Sequence, residues 1–113
     1  MPSLDFNVLE ETTLKITMKD PDKTVIRVST PTEGLLERLQ SAAAEMRDIT
    51  SKKDPHRIHH LYALIAEVIS RNDDYITVTG EELEHKYMLS LADLVIFMAR
   101  YLRFIREISN AKN

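Results

Sequence analysis

Three histidines crowd one short stretch: His56, His59 and His60. On a helix, His56 with His59 or His60 has the i, i+3 or i, i+4 spacing that can set two imidazoles on one metal ion. A catalytic zinc needs a third ligand and a general base as well. The HExxH pattern carries its Glu inside the motif, whereas Arg57 and Ile58 stand between the first two histidines here, and Arg57 repels a cation. The cluster therefore reads as a solvated helix start. Glu81, Glu82 and Glu84 are close enough for paired acid–base work. They also fall where a helix begins, and carboxylates there simply meet the positive end of the helix dipole. Asp73 and Asp74 read as loop residues. The chain has two glycines and no cysteine. That leaves no phosphate-cradling loop, no thiolate nucleophile or ligand and no disulfide. No GxSxG and no nucleophile–base pair occurs. We expect no catalytic residue, no cofactor and no metal. Arg100, Arg103 and Arg106 step along the last helical stretch and offer a basic face to phosphates. Residues 79–108 have the outline of a helix-turn-helix, so a small DNA-binding regulator is the alternative function. Against it, the would-be recognition helix is very apolar, its polar side also carries Asp93 and Glu107, and the chain's net charge is −3.

The elements that must carry these residues follow from periodicity and capping. Residues 1–12 are mixed and acidic, with Leu4, Phe6, Val8 and Leu9 as possible anchors. Leu14, Ile16 and Met18 then alternate with polar neighbours, and Ile26 and Val28 alternate with Val25 and Arg27 in a β-branched stretch, with Asp20-Pro21-Asp22-Lys23 between the two. This predicts a hairpin over residues 13–29, which must lean on helices because two strands alone are marginal. Both of its edges are expected to be open. Thr30-Pro31-Thr32-Glu33 predicts a helix capped by Thr30 and running to about residue 48, with a loop over 50–53. Asp54-Pro55 repeats the device for a second helix over about 55–71, ended by Asn72-Asp73-Asp74. Residues 75–78 suggest a short third strand. Thr79-Gly80-Glu81-Glu82 is a capping box opening a short helix to about residue 87. Ser90-Leu91-Ala92-Asp93 opens the last helix, over about 91–109. The expected fold is α+β and mostly helical: an N-terminal β-hairpin packed with a bundle of three long helices and one short one.

At 113 residues there is room for one domain. Hydrophobic residues make up 43% and charged residues 29%, which suits a folded globular chain rather than a disordered one. The longest strictly apolar run, residues 94–99, is far short of a membrane span, and the first residues lack the basic and apolar regions of a secretion signal.

The last helix carries more apolar surface than one small core needs. Leu91, Leu94, Val95, Met98, Leu102 and Ile105 centre one face, and Phe97, Tyr101, Phe104 and Ile108 widen it on one side. An amphipathic helix requires a stripe only about 100° wide. Either this helix is wrapped by its neighbours, or the edge formed by Phe97, Tyr101, Phe104 and Ile108 is a partner interface, in a homo-oligomer or with a helical client.

The order of elements resembles the tail assembly chaperones of long-tailed (siphovirus-like) phages and prophages. The likeness spans nearly the whole chain as order and composition, with no diagnostic motif. It rests on Leu4-Asp5-Phe6, the hairpin from Leu14-Lys15-Ile16 to Val25-Ile26-Arg27-Val28, and the Pro31-Thr32 entry into Leu35-Leu36-Glu37-Arg38-Leu39. It continues through Leu61-Tyr62-Ala63-Leu64-Ile65-Ala66-Glu67, Ile76-Thr77-Val78 with Glu81-Glu82-Leu83, and a closing helix ending Tyr101-Leu102-Arg103-Phe104-Ile105. The resemblance implies a non-enzymatic protein of the bacterial host cytoplasm. It would bind the tape measure protein, shield its apolar helical stretches and help recruit tail tube protein. Such proteins are often made in a second, frameshifted length. The family brings no catalytic residues and implies no nucleic acid or membrane as partner.

Overall fold

The computed structural model describes residues 13–111; Leu4, Phe6, Val8 and Leu9 lie outside the described residues. Two strands, β1 (Leu14–Thr17) and β2 (Val25–Val28), form an antiparallel hairpin with Ile16 opposite Ile26 and Leu14 opposite Val28. Alternation fixes which side chains go inward: Ile26 and Val28 are fully buried, while Lys15, Thr17, Val25 and Arg27 are exposed. Asp20 closes the turn. Its carboxylate accepts hydrogen bonds from the Thr24 N–H (2.9 Å) and the Thr24 hydroxyl, and its carbonyl accepts one from the Lys23 N–H (2.9 Å).

Among the described residues five helices follow: α1 (Glu33–Ala44), α2 (Met46–Lys52), α3 (Pro55–Ile69), α4 (Gly80–His85) and α5 (Leu91–Ala111). The fold is α+β and mostly helical with an N-terminal hairpin, as the sequence predicts. Three details differ. The first helix is capped by Thr32, whose hydroxyl accepts from the Leu35 N–H (3.2 Å), and not by Thr30. Residues 29 and 30 are held elsewhere: the Ser29 N–H donates to the Arg71 carbonyl (2.7 Å), and Arg71 Nε donates to the Thr30 carbonyl (3.1 Å). Next, the expected single helix to residue 48 is broken at Glu45, and the chain at 50–52 is helical rather than looped. At the break the Glu45 N–H reaches back to the Ala42 carbonyl in a tighter turn (3.1 Å). The new direction buries Ile49, and Arg57 clamps it by pairing with both Asp48 and Glu45. Finally, residues 75–78 form no strand. Their main-chain groups are taken by side chains: Asn72 holds both the N–H and the carbonyl of Ile76, and the Ser70 hydroxyl sits between the N–H and carbonyl of Val78.

The other starts are as expected. Asp54 caps α3 through the His56 N–H, with Pro55 in the first turn. Thr79 and Glu82 make a reciprocal capping box on α4, and Ser90 and Asp93 make the same exchange at α5. The core is one cluster in which α3 touches α1, α4, α5 and β2. Gly80 lets α4 meet α3: a Cβ there would lie 3.0 Å from the Ala63 amide nitrogen and 3.1 Å from the Tyr62 carbonyl carbon. No helix among the described residues is long and apolar enough to cross a membrane.

Among the described residues, four carboxyls have pKa values below the ordinary carboxylate range. The Thr24 hydrogen bonds lower that of Asp20, Arg57 that of Asp48, Arg27 that of Asp74, and Lys19 with Ser90 that of Asp93. Because each folded pKa is depressed, the stability it contributes is complete above the unfolded value of about 3.9 and is lost as pH falls through the folded value. The melting temperature should therefore drop steeply below about pH 4. Asp20→Asn should melt lower than the wild type at pH 6, and the gap should close toward pH 2. A gap that stays constant with pH would show that the Asp20 turn contributes nothing through its charge.

Candidate functional site

The sequence-marked chemistry does not converge. His56, His59 and His60 are exposed at the start of α3. Nε2 of His56 and His60 stand 3.2 Å apart, and His59 faces a different groove, beside Tyr62, Glu81, Glu84 and His85. Among the described residues no three His, Cys, Asp or Glu side chains are placed to hold a metal ion. Glu82 is used by the α4 cap, and Asp73 and Asp74 bind Ser29 and Arg27 of the hairpin. Arg100, Arg103 and Arg106 are exposed, with Arg103 paired to Glu107 (3.1 Å). The first two turns of α5 expose Ala92 and Ile96 and engage Asp93 with Lys19, so they offer a nucleic acid no cation before Arg100.

The widened edge of α5 lies inside the protein. Tyr101 is fully buried, Phe97 and Phe104 are each 9% exposed, and Ile108 is half-buried against the core. Phe97 stacks on Tyr101 with centroids 5.4 Å apart, and Tyr101 lies 6.0 Å from Phe104. The Tyr101 hydroxyl donates to the Ser29 carbonyl (2.7 Å), and burial pushes its pKa up, so the phenol stays protonated. The Tyr101 hydroxyl thus ties α5 to the residue that follows β2. Of the two readings of this edge, the packing is that of a helix wrapped by its neighbours: Phe97, Tyr101 and Phe104 lie in the core and Ile108 packs against it. The buried stripe is turned from its expected centre by roughly a fifth of a turn, taking about 100° per residue.

That rotation leaves apolar side chains unburied on the opposite flank. Val95, Ala99 and Leu102 of α5 face Ala43 and Met46 of the first two helices across a cavity of about 200 Å³ floored by Met98. Ala99 is exposed, and Val95, Leu102, Ala43 and Met46 are half-buried. The break at Glu45 falls between Ala43 and Met46 and shapes one wall. No lining side chain carries a charge. Alanines allow a backbone to approach closely, and unbranched methionines adapt to different shapes. Such a groove suits the apolar face of a partner helix. The sequence holds its signal in the Ala42-Ala43-Ala44 run beside Met46 and in the spacing of Val95, Ala99 and Leu102. The heavier aromatic residues outweighed it. The chain matches no protein-family model, no curated protein and no solved structure.

Proposed function

We propose that this chain is a non-enzymatic tail assembly chaperone of a long-tailed phage or prophage, which binds the tape measure protein in the host cytoplasm and helps recruit tail tube protein. The resemblance in order of elements suggests the family. The observation that carries a client-binding role is the uncharged groove between α1–α2 and α5, built from Ala43, Met46, Val95, Ala99 and Leu102. An apolar helical stretch laid there would bury surface that otherwise drives its own aggregation, at about 25 cal/mol for each Å² covered.

The test is capture of an apolar helical segment of a tape measure protein by the wild type and by Ala99→Glu. Ala99 is exposed on a helix, so Glu there should change folding stability by no more than about 0.5 kcal/mol. A buried charge in the groove should weaken capture at least about tenfold, since it must be desolvated without a partner. Undiminished capture by a folded Ala99→Glu would remove the groove from the mechanism. No capture by the wild type would remove the chaperone assignment itself.

A further inference from the structure

The other flank of α5 lines a second groove, and β1 forms its opposite wall. The Met18 N–H donates to the Thr24 carbonyl (2.8 Å), which fixes the ladder: Ile16 with Ile26 and Leu14 with Val28 are the hydrogen-bonded pairs. The main-chain groups of Arg27 then face outward from β2, and those of Lys15 and Thr17 face outward from β1. The two edges, both expected to be open, differ. The β2 edge is covered by the turn after α3: Asp73 N–H donates to the Arg27 carbonyl (3.2 Å), Arg27 N–H to the Asp74 carboxylate (2.8 Å), and Val28 bridges Asn72. Along the β1 edge, no main-chain partner faces Lys15 or Thr17 among the described residues. The groove beside this edge has a volume of about 300 Å³, with Leu14, Ile16 and Met18 on one wall and Ile96 and Phe97 on the other. Ile96 is 67% exposed. Among the described residues its charged lining is Lys15, Lys19 and Arg100 against Asp93. Lys19 and Ser90 engage Asp93. Lys15 and Arg100 are exposed and make no ion pair among the described residues, so the rim of the groove is positive.

We infer that the β1 edge takes up an extended acidic segment of a partner protein as an added strand, with its apolar side chains in the groove and its carboxylates beside Lys15 and Arg100. The outward N–H and carbonyl groups of Lys15 and Thr17 call for a backbone that offers the same groups at the same spacing. A partner helix does not, because its turns use those groups internally. Side chains of an added strand alternate as those of β1 do. The ones beside Leu14, Ile16 and Met18 face the same side, over Ile96 and Phe97, and must be apolar. The ones between them share the exposed side with Lys15 and Thr17. There an opposite charge on the neighbouring strand is favourable and a like charge is not. A second copy of this chain is therefore a poor occupant: antiparallel pairing of two β1 edges sets each Lys15 opposite or diagonal to a lysine of the other copy. The lysine that guards the edge against identical chains thus admits a strand of opposite charge. This surface lies on the flank of α5 away from Ala99 and does not rest on the chaperone reading.

The probe is a short, end-blocked peptide in which glutamate and valine alternate, added to the full chain at neutral pH and followed by nuclear magnetic resonance. At saturation the amides of Lys15 and Thr17 should exchange at least about tenfold more slowly than in the free chain, because each gains an acceptor. The resonances of Ile96 should shift with them. Lys15→Glu changes an exposed side chain and none of the hairpin's own bonds, and should weaken binding about tenfold. A peptide with lysine in place of glutamate should bind Lys15→Glu better than it binds the wild type. Exchange at Lys15 and Thr17 that the peptide leaves unchanged overturns the inference, as does equal binding of the glutamate and lysine peptides. Shifts at Ile96 without protection of the two amides would mean that the groove takes apolar side chains but no strand, and overturn it too. Slow exchange of both amides before any peptide is added would show the edge already filled, by a second copy if dilution abolishes it and by the same chain if not; either result overturns the inference. Client capture through Ala99 is a separate readout on the opposite flank, so either result stands when the other fails.

Discussion

Phe97→Ser combined with Phe104→Ser is expected to unfold the protein. Each ring is almost wholly buried beside Tyr101, whose hydroxyl joins α5 to Ser29 at the end of the hairpin. Truncating one buried Phe costs about 3–5 kcal/mol, and serine adds a hydroxyl to an apolar site. Two such losses that share Tyr101 as a neighbour do not add strictly, yet their sum is comparable to the whole stability of a domain this size, about 5–15 kcal/mol. Circular dichroism should show no cooperative melt for the pair. A milder probe isolates the polar part of this contact. Tyr101→Phe keeps the ring but leaves the Ser29 carbonyl without its 2.7 Å donor, for an expected loss of about 1–3 kcal/mol. If the double serine variant instead melts like the wild type, the stack is not part of the core and that flank of α5 is available to a partner after all.

Asn72 should be the most sensitive polar position. Its amide nitrogen donates to the carbonyls of Ile69 (2.8 Å) and Ile76 (2.7 Å), and its oxygen accepts from the N–H groups of Asp74 (3.0 Å) and Ile76 (3.0 Å). All four hydrogen-bonding valences of the side chain are used. They fold the chain after α3 into the turn that covers the β2 edge. At about 0.5–1.5 kcal/mol for each bond, Asn72→Ala should cost about 2–6 kcal/mol. Asn72→Asp is the sharper variant. It keeps size and shape, retains the two acceptor contacts, and turns both donor contacts into oxygen facing oxygen. It should be destabilised to a similar degree at pH 7 and partly rescued in acid, where the protonated carboxyl donates again. Chemical denaturation at pH 7 measures the loss; an Asp variant as stable as the wild type would mean that water replaces the two donor bonds.

What the sequence made legible was local. Asp54-Pro55, Thr79 with Glu82 and Ser90 with Asp93 each place a cap within a few residues of its own helix, so the signal is complete in the string, and the caps form. The hairpin follows equally from alternation. Failures came where distant chain decides. Thr30 and Thr32 are both capable caps; Arg71, just beyond the end of α3, binds the Thr30 carbonyl and leaves the role to Thr32. Residues 75–78 have the composition of a strand, but Ser70 and Asn72 take their main-chain groups first. The covered edge of β2 was likewise hidden, because its partners lie 44–47 residues away. For α5, the wheel gave the width of the apolar surface correctly. It could not give the azimuth of the core, because that depends on Ser29 accepting the Tyr101 hydroxyl from an element made much earlier. Hence the aromatic edge is interior, and the candidate groove is the plainer flank of alanine, valine and methionine.

The bond from Tyr101 to Ser29 also sets a timetable for synthesis. The two residues are separated by 72 positions. At about 5–20 residues per second on a ribosome, the Ser29 carbonyl exists for roughly 4–14 s before its donor has been made. During that interval the inner face of the hairpin, with Ile26 and Val28, has no α5 to close over it. A nascent chain stalled before residue 91 should therefore hold β1 and β2 unprotected against protease, and resistance should arise only after Tyr101 has cleared the exit tunnel. The contact between α5 and the end of the hairpin is thus the last to close, and slowing translation through the codons of α5 lengthens the window in which the growing chain is exposed to degradation.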